Sequence, residues 1–236
     1  MSVIVISKGS YSHGGEVAKK VAQRLGLACI SRDILIETSK KFNISELKLI
    51  RAFDDAPSFL EKYTFGREKY IKYIKAAVLN HLAKGNIIYH GFAGHFFVSD
   101  ISHVLKVRII ADMAERTKYM MKREKVSKED AVQLINKVDE ERSKWSLKLY
   151  GIDTWDCRLY DLIINIGKVT IDDAVDLVCQ TVKLKAFQPT TKSQKLIEEL
   201  AKEALSKAED INNISPFFEP MRASHSGKKR RIANFD

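Results

Sequence analysis

Residues 3–7, Val-Ile-Val-Ile-Ser, form an unbroken β-branched run that ends at Lys8-Gly9-Ser10. A run without polar alternation predicts a strand buried on both faces, as in a parallel sheet. After a loop, residues 16–25 follow helical spacing, with Val17, Val21 and Leu25 on one face and Gly26 as the stop. Residues 27–30 predict a second short strand, and Ser31 an N-cap for a helix over 32–41. Helices follow over 45–53 and 65–82, then a strand over 87–90 that Gly91 and Gly94 break. A strand over 104–110 leads to Asp112, the expected N-cap of a helix reaching about 122. Ser127 with Asp130 fits a capping box opening a helix to about 148. A last strand covers 162–165 and a closing helix 171–185, with Asp172 and Asp173 in its first turn. Strands alternating with helices predict an α/β doubly wound parallel sheet with helices on both faces.

Beyond Phe187 the pattern changes. Residues 188–191 read as a linker, 193–208 as a charged helix, and 212–236, with two prolines and the basic cluster Lys228-Lys229-Arg230-Arg231, as poorly ordered. The expected organisation is a main domain over 1–186 and a helical extension with a basic tail over 187–236.

Composition narrows the classes. The 236 residues are 45% hydrophobic and 30% charged, enough apolar content for a buried core. Cys29, Cys157 and Cys179 are scattered and lack metal-ligand spacing, which argues against a disulfide framework or zinc site. No leader-type segment or apolar run of spanning length is visible, so a cytoplasmic protein without a membrane partner is expected. The net charge of +10 asks for an anionic partner. Residues 187–236 hold nine Lys/Arg and seven Asp/Glu, so most of the excess lies on the body rather than the tail. That favours a phosphate-rich small ligand over a nucleic acid, and no base-stacking aromatic motif is present.

The sharpest motif lies between the first strand and the first helix: Gly9-Ser10-Tyr11-Ser12-His13-Gly14-Gly15-Glu16. Glycines there let backbone N–H groups turn inward, and the helix N-terminus adds partial positive charge, a combination suited to phosphate. Gly9-x4-Gly14 matches the start of the Walker A pattern, but Gly15 stands where its lysine belongs and Glu16 where its hydroxyl belongs.

Residues 12–22, Ser-His-Gly-Gly-Glu-Val-Ala-Lys-Lys-Val-Ala, are similar to the loop and helix of the cytidylate kinase-like family of P-loop nucleoside monophosphate kinases. The resemblance spans roughly 1–186. It includes Tyr89 to His95, Leu105 to Asp112, Glu115-Arg116, Asp139 to Arg142, Leu149 to Asp153 and Tyr160 to Asn165. The departure is Gly15, where the family carries a basic residue before Glu16. The resemblance implies ATP with Mg²⁺, a nucleotide partner, and γ-phosphoryl transfer to a (d)CMP-like acceptor. It implies phosphate binding by Gly9, Ser10, Ser12, His13, Gly14, Gly15 and Glu16. Arg32 and Asp33 would face the acceptor, with Arg32 on its phosphate. Between the helices carrying Arg116 and Asp139 it implies a lid, in which Arg116, Asp139 and Arg142 are the catalytic candidates. Arginines suit that task because the guanidinium fork is bidentate and permanently charged. Arg123, on the same face as Arg116, reads as a surface-pairing residue.

Further candidates are less constrained. Lys8 and Lys19 are available to supply the charge that Gly15 lacks, although neither stands at the usual position. His90 and His95 flank a turn at the sheet's carboxyl edge without ligand spacing, and the metal ligands are left unassigned. Trp145 and Trp155 flank the expected lid and read as packing residues. Two alternatives to an active kinase stay open. One is a catalytically impaired nucleotide-binding regulator, motivated by Gly15. The other, weaker, is a nucleic-acid-binding protein drawing on the positive charge. Oligomeric state is not legible.

Overall fold

A computed structural model describes residues 1–31, 33–43, 67–91 and 93–214. The expected helix over 45–53 and the tail from 215 lie outside these residues, as does Arg32. Five strands form one sheet: β1 (Val3–Lys8), β2 (Ala28–Ile30), β3 (Ile87–His90), β4 (Val104–Ala111) and β5 (Leu162–Ile166). All pairings are parallel and the order is β2-β3-β1-β4-β5, so the first strand lies at the centre. Such a sheet needs helices on both faces, which explains why β1 is apolar without alternation.

The helices are α1 (Gly14–Leu25), α2 (Asp33–Phe42), α3 (Arg67–Lys84), α4 (Gly94–Phe97), α5 (Met113–Glu124), α6 (Lys128–Tyr150), α7 (Ile171–Thr181) and α8 (Thr191–Ile214). One face of the sheet, with Ile4, Ile6, Val107 and Ile109, packs on Val17 and Val21 of α1 and Val175 and Val178 of α7. The opposite face, with Val3, Val5 and Tyr89, packs on Tyr73, Leu79 and Leu82 of α3 and Phe97 of α4. A residue's parity on β1 or β4 therefore decides which layer it meets.

Three expectations shift. The closing helix stops at Thr181, and Lys185–Phe187 is a separate 3-10 turn. The stretch read as a linker is a helix cap: Thr190 N–H donates to Ser193 Oγ at 3.0 Å, and Ser193 N–H to Thr190 Oγ1 at 3.1 Å. The helix it opens is longer than the pattern predicts, running through 212–214 as well. α8 also buries Ile197, Ala201, Ala204 and Ala208, spaced four, three and four apart, in the cluster that contains α3. This accounts for α3, which buries Tyr73, Ile74, Ala76, Ala77, Val78 and Leu79 almost all round: it lies between the sheet and α8. No helix among the described residues is long and apolar enough to cross a membrane.

Candidate active site

The loop between β1 and α1 is tied to the sheet at its base. Gly9 N–H donates to the Ile109 carbonyl at 3.0 Å, and Ser12 Oγ lies 2.9 Å from the Gly9 and Ile109 carbonyls. Ser12 is thus committed to holding the loop on β4. Tyr11 and His13 both take left-handed backbone, at φ 55° and 62°, without being glycine. Strain of that kind persists only where neighbours fix it. Tyr11 is buried with Met120 of α5 and Ala131 and Ile135 of α6. The His13 ring lies 4.1 Å from that of Tyr119, with Nε2 3.2 Å from Glu115 Oε1. The loop and the α5–α6 pair are therefore one packed unit.

α1 begins at Gly14, two residues before the pattern predicts, so Gly14 and Gly15 form its first turn and His13 its N-cap, with no side-chain cap bond. The leading N–H groups of such a helix need acceptors and favour an anion. A β-carbon on Gly14 would come within 2.5 Å of Lys8 Cβ and 3.2 Å of Lys8 Cδ. Position 14 therefore has to be glycine for the Lys8 stem to cross the loop. Glu16 points elsewhere: its exposed carboxylate lies 3.5 Å from Lys20, which also meets Asp172 at 2.9 Å.

Two of the sequence candidates, Arg116 and Asp139, converge on a third, Ser10. Arg116 of α5 is buried, and its Nε donates to the Ser10 carbonyl at 2.7 Å. Its Nη2 donates to Ser10 Oγ and, at 2.6 Å, to Asp139 Oδ2 of α6. Ser10 Oγ donates to Asp139 Oδ1 at 2.6 Å, which closes a ring of serine, arginine and aspartate. Arg142, one turn beyond Asp139, places Nη1 3.5 Å from the Lys8 carbonyl. Arg123, half-buried, pairs with neighbouring Glu124 at 3.3 Å. Asp33 is exposed at the start of α2, near Cys29, whose thiol burial pushes up, Lys19 and Lys8 opposing. Trp145 is a core residue.

One cluster centres on a residue absent from the sequence candidates, Arg108, and takes in His95 from among them. Arg108 of β4 is paired in register with Ser7 of β1 and is only 6% exposed. Its Nη1 donates to Ser7 Oγ at 3.0 Å and to Tyr160 Oη at 3.1 Å. Tyr160 spends its single proton on the Thr154 carbonyl at 2.9 Å, so His95 Nε2, 3.2 Å away, must donate to it. Burial first, then Arg108 and Lys106, pull the His95 imidazole down to about 3, so it is neutral at ordinary pH. The signal was an arginine inside the otherwise apolar run Val107-Arg108-Ile109-Ile110.

The central β1, its glycine-containing loop and the arginines gathered over it define the class: an α/β protein with the P-loop kinase fold. The chain belongs to the cytidylate kinase-like family, whose family model matches residues 3–168. It is 25% identical over 183 residues to the cytidylate kinase of Sulfolobus acidocaldarius, spanning 77% of this chain and 94% of that one. Identity to the cytidylate kinase of Ignicoccus hospitalis is 27% over 182 residues, spanning 75% and 97%. An uncharacterized protein from Eubacterium ventriosum, solved by crystallography, matches 78% of this chain and all of its own with a TM-score of 0.61 at 21% identity, a likeness of fold.

Magnesium ligands do not fit the usual P-loop pattern. Glu16 replaces the hydroxyl and is turned to Lys20. The strand beside β1 ends in His90 rather than the acid that holds the ion in P-loop phosphotransferases. Among the described residues no group of three or more His, Cys, Asp or Glu is placed to hold a metal.

Proposed function

We propose that the protein is a nucleoside monophosphate kinase that passes the γ-phosphoryl group of ATP to a (d)CMP-like acceptor. The observation that carries this reading is the Ser10–Arg116–Asp139 ring, with Arg142 beside it, on the phosphate loop of a chain related over three-quarters of its length to cytidylate kinases. Phosphoryl transfer asks mainly for positioning and charge neutralisation. The first turn of α1 receives phosphate oxygens on its N–H groups. Arg116 and Arg142 neutralise charge on the transferring group, and Asp139 holds Arg116 at the loop until a phosphate competes for it. Gly9 and Gly14 leave room for the backbone approach, while Ser12 and His13 shape the loop. Magnesium enters with ATP as its counter-ion, and no step is assigned to it here. Arg32 and Asp33 are assigned to the acceptor side on the family resemblance alone.

A second reading rests on Gly15. With no cation after Gly14, transfer is slow and the protein acts through nucleotide binding; losing one such charge contact costs about 10²–10³ in rate. A coupled assay of ADP formation with ATP and each of CMP, dCMP, UMP, AMP and GMP separates the two. Fastest turnover with CMP or dCMP is the expected result. Stabilisation of the fold by ATP without turnover at high enzyme favours the second reading. No turnover and no stabilisation by any nucleotide refutes both.

A further inference from the structure

Among the described residues, Arg108 is a buried cation without a counter-ion. No carboxylate among the described residues pairs with it; its partners are two neutral hydroxyls, Ser7 and Tyr160. Both bonds use Nη1. The opposite edge, Nε and Nη2, donates to no described residue, and Nε is fully buried. That edge is the side-on fork that takes two oxygens of a phosphate or carboxylate at once. The guanidinium plane is held by rings: its carbon lies 5.1 Å from the centre of Trp155 and 5.3 Å from that of Tyr160. Cation–π contact offsets part of the desolvation, but a buried unpaired charge still costs several kcal/mol in general. Trp155 is 57% exposed, so the cluster reaches solvent at the indole.

Position selects the ligand. Ser7 lies two residues before Gly9, where the phosphate loop begins, and Arg108 pairs with it in register. Both lie on the face of the sheet that carries Val3, Val5 and Val104, opposite the face covered by α1. A phosphate on the first turn of α1 and an oxyanion on Arg108 would thus approach the carboxyl end of β1 from its two sides. Carboxyl ends of central strands are where ligands meet in open α/β sheets. We propose that the free edge of Arg108, fixed by Ser7 and Tyr160, is an oxyanion subsite that takes the phosphate of the acceptor nucleotide. This deepens, and rests on, the kinase reading above. Tyr160, His95 and Thr154 are positioning residues, because they act through the orientation of Arg108.

The test is calorimetric binding of CMP, cytidine, inorganic phosphate and ATP to the full chain and to Arg108→Gln and Arg108→Lys. Loss of a bidentate charged contact raises the CMP dissociation constant about 10- to 100-fold in Arg108→Gln. Arg108→Lys is intermediate, and cytidine and ATP are unchanged in both. CMP binding within twofold of wild type in Arg108→Gln overturns the subsite while leaving the kinase reading intact. A second measurement needs no variant: the Arg108 Nε–H resonance of ¹⁵N-labelled wild type should shift with CMP and not with cytidine. If wild type binds neither CMP nor ATP, the kinase reading fails, and the same resonance decides the subsite alone. A shift with inorganic phosphate then keeps an oxyanion site; no shift removes it.

Discussion

Asp139→Ala separates the roles assigned to the ring that joins the phosphate loop to α5 and α6. Asp139 accepts from Arg116 Nη2 and from Ser10 Oγ, both at 2.6 Å. The Arg116 side chain is 7% exposed and that of Asp139 24%. Removing the carboxylate leaves Arg116 bonded only to Ser10, with its charge uncompensated in a nearly dry site. Breaking a buried pair from one side costs about 3–5 kcal/mol, and the partial exposure of Asp139 admits water that lowers this to about 2–4 kcal/mol. Urea unfolding followed by tryptophan fluorescence reads the loss, because Trp145 is buried on the same helix. Arg116→Met in the same background should recover about half of it, since the stranded charge is then gone. Saturating ATP should stabilise Asp139→Ala more than wild type, as phosphate oxygens replace the lost carboxylate. Turnover should fall, because nothing holds Arg116 between cycles. If Asp139→Ala unfolds within 0.5 kcal/mol of wild type, or the two substitutions add without coupling, Asp139 is not the counter-charge of Arg116 and the argument fails.

Gly14→Ala places a methyl 2.5 Å from Lys8 Cβ, an atom fixed by its strand; about 1–3 kcal/mol of destabilisation and weaker ATP binding are expected in a thermal-shift titration. For His95 the folded imidazole titrates at about 3 against an ordinary 6.5, so the unfolded chain takes up a proton in that window that the folded chain refuses. Stability is therefore full above about pH 6.5 and is lost on acidification; by pH 4.5 the loss from this group is about 2–3 kcal/mol, and His95→Gln should flatten the slope in urea melts at both pH values. Gly15→Lys should raise turnover in the coupled assay if the loop is merely impaired, whereas an unchanged rate removes Gly15 as the cause of slow transfer. Ile197→Ala should cost about 2–4 kcal/mol within a single unfolding transition, because Ile197 is fully buried in the core shared with α3; a separate early transition for α8 would contradict that packing.

The layered sheet was readable because its signals are local: apolar runs without alternation, helical spacing, and caps such as Ser127, which accepts from a first-turn N–H of α6. The convergence of Ser10, Arg116, Asp139 and Arg142 was legible only through resemblance, since 129 residues separate Ser10 from Asp139 and no spacing rule spans them. Two things escaped for a common reason. α8 was taken for an appended charged helix because its buried apolar positions are three alanines and one isoleucine, while Leu196, Leu200, Leu205 and Ile211 pack beside them only partly buried among lysines and glutamates. Small residues bury little area themselves, yet they allow the close approach that seals the outer face of α3. Arg108 escaped because a charge in a strand is ordinarily read as marking the exposed face, and this strand has none. The parity that placed Val107 and Ile109 against α1 placed Arg108 in the opposite layer, where α4 and the residues before β5 close over it. A buried arginine set among Val107, Ile109 and Ile110 is therefore informative by contradiction. Burial with no carboxylate partner among the described residues is too costly to be incidental, so either the surrounding rings compensate it in full or an anion completes it, and the Nε–Nη2 edge, which donates to no described residue, favours the anion.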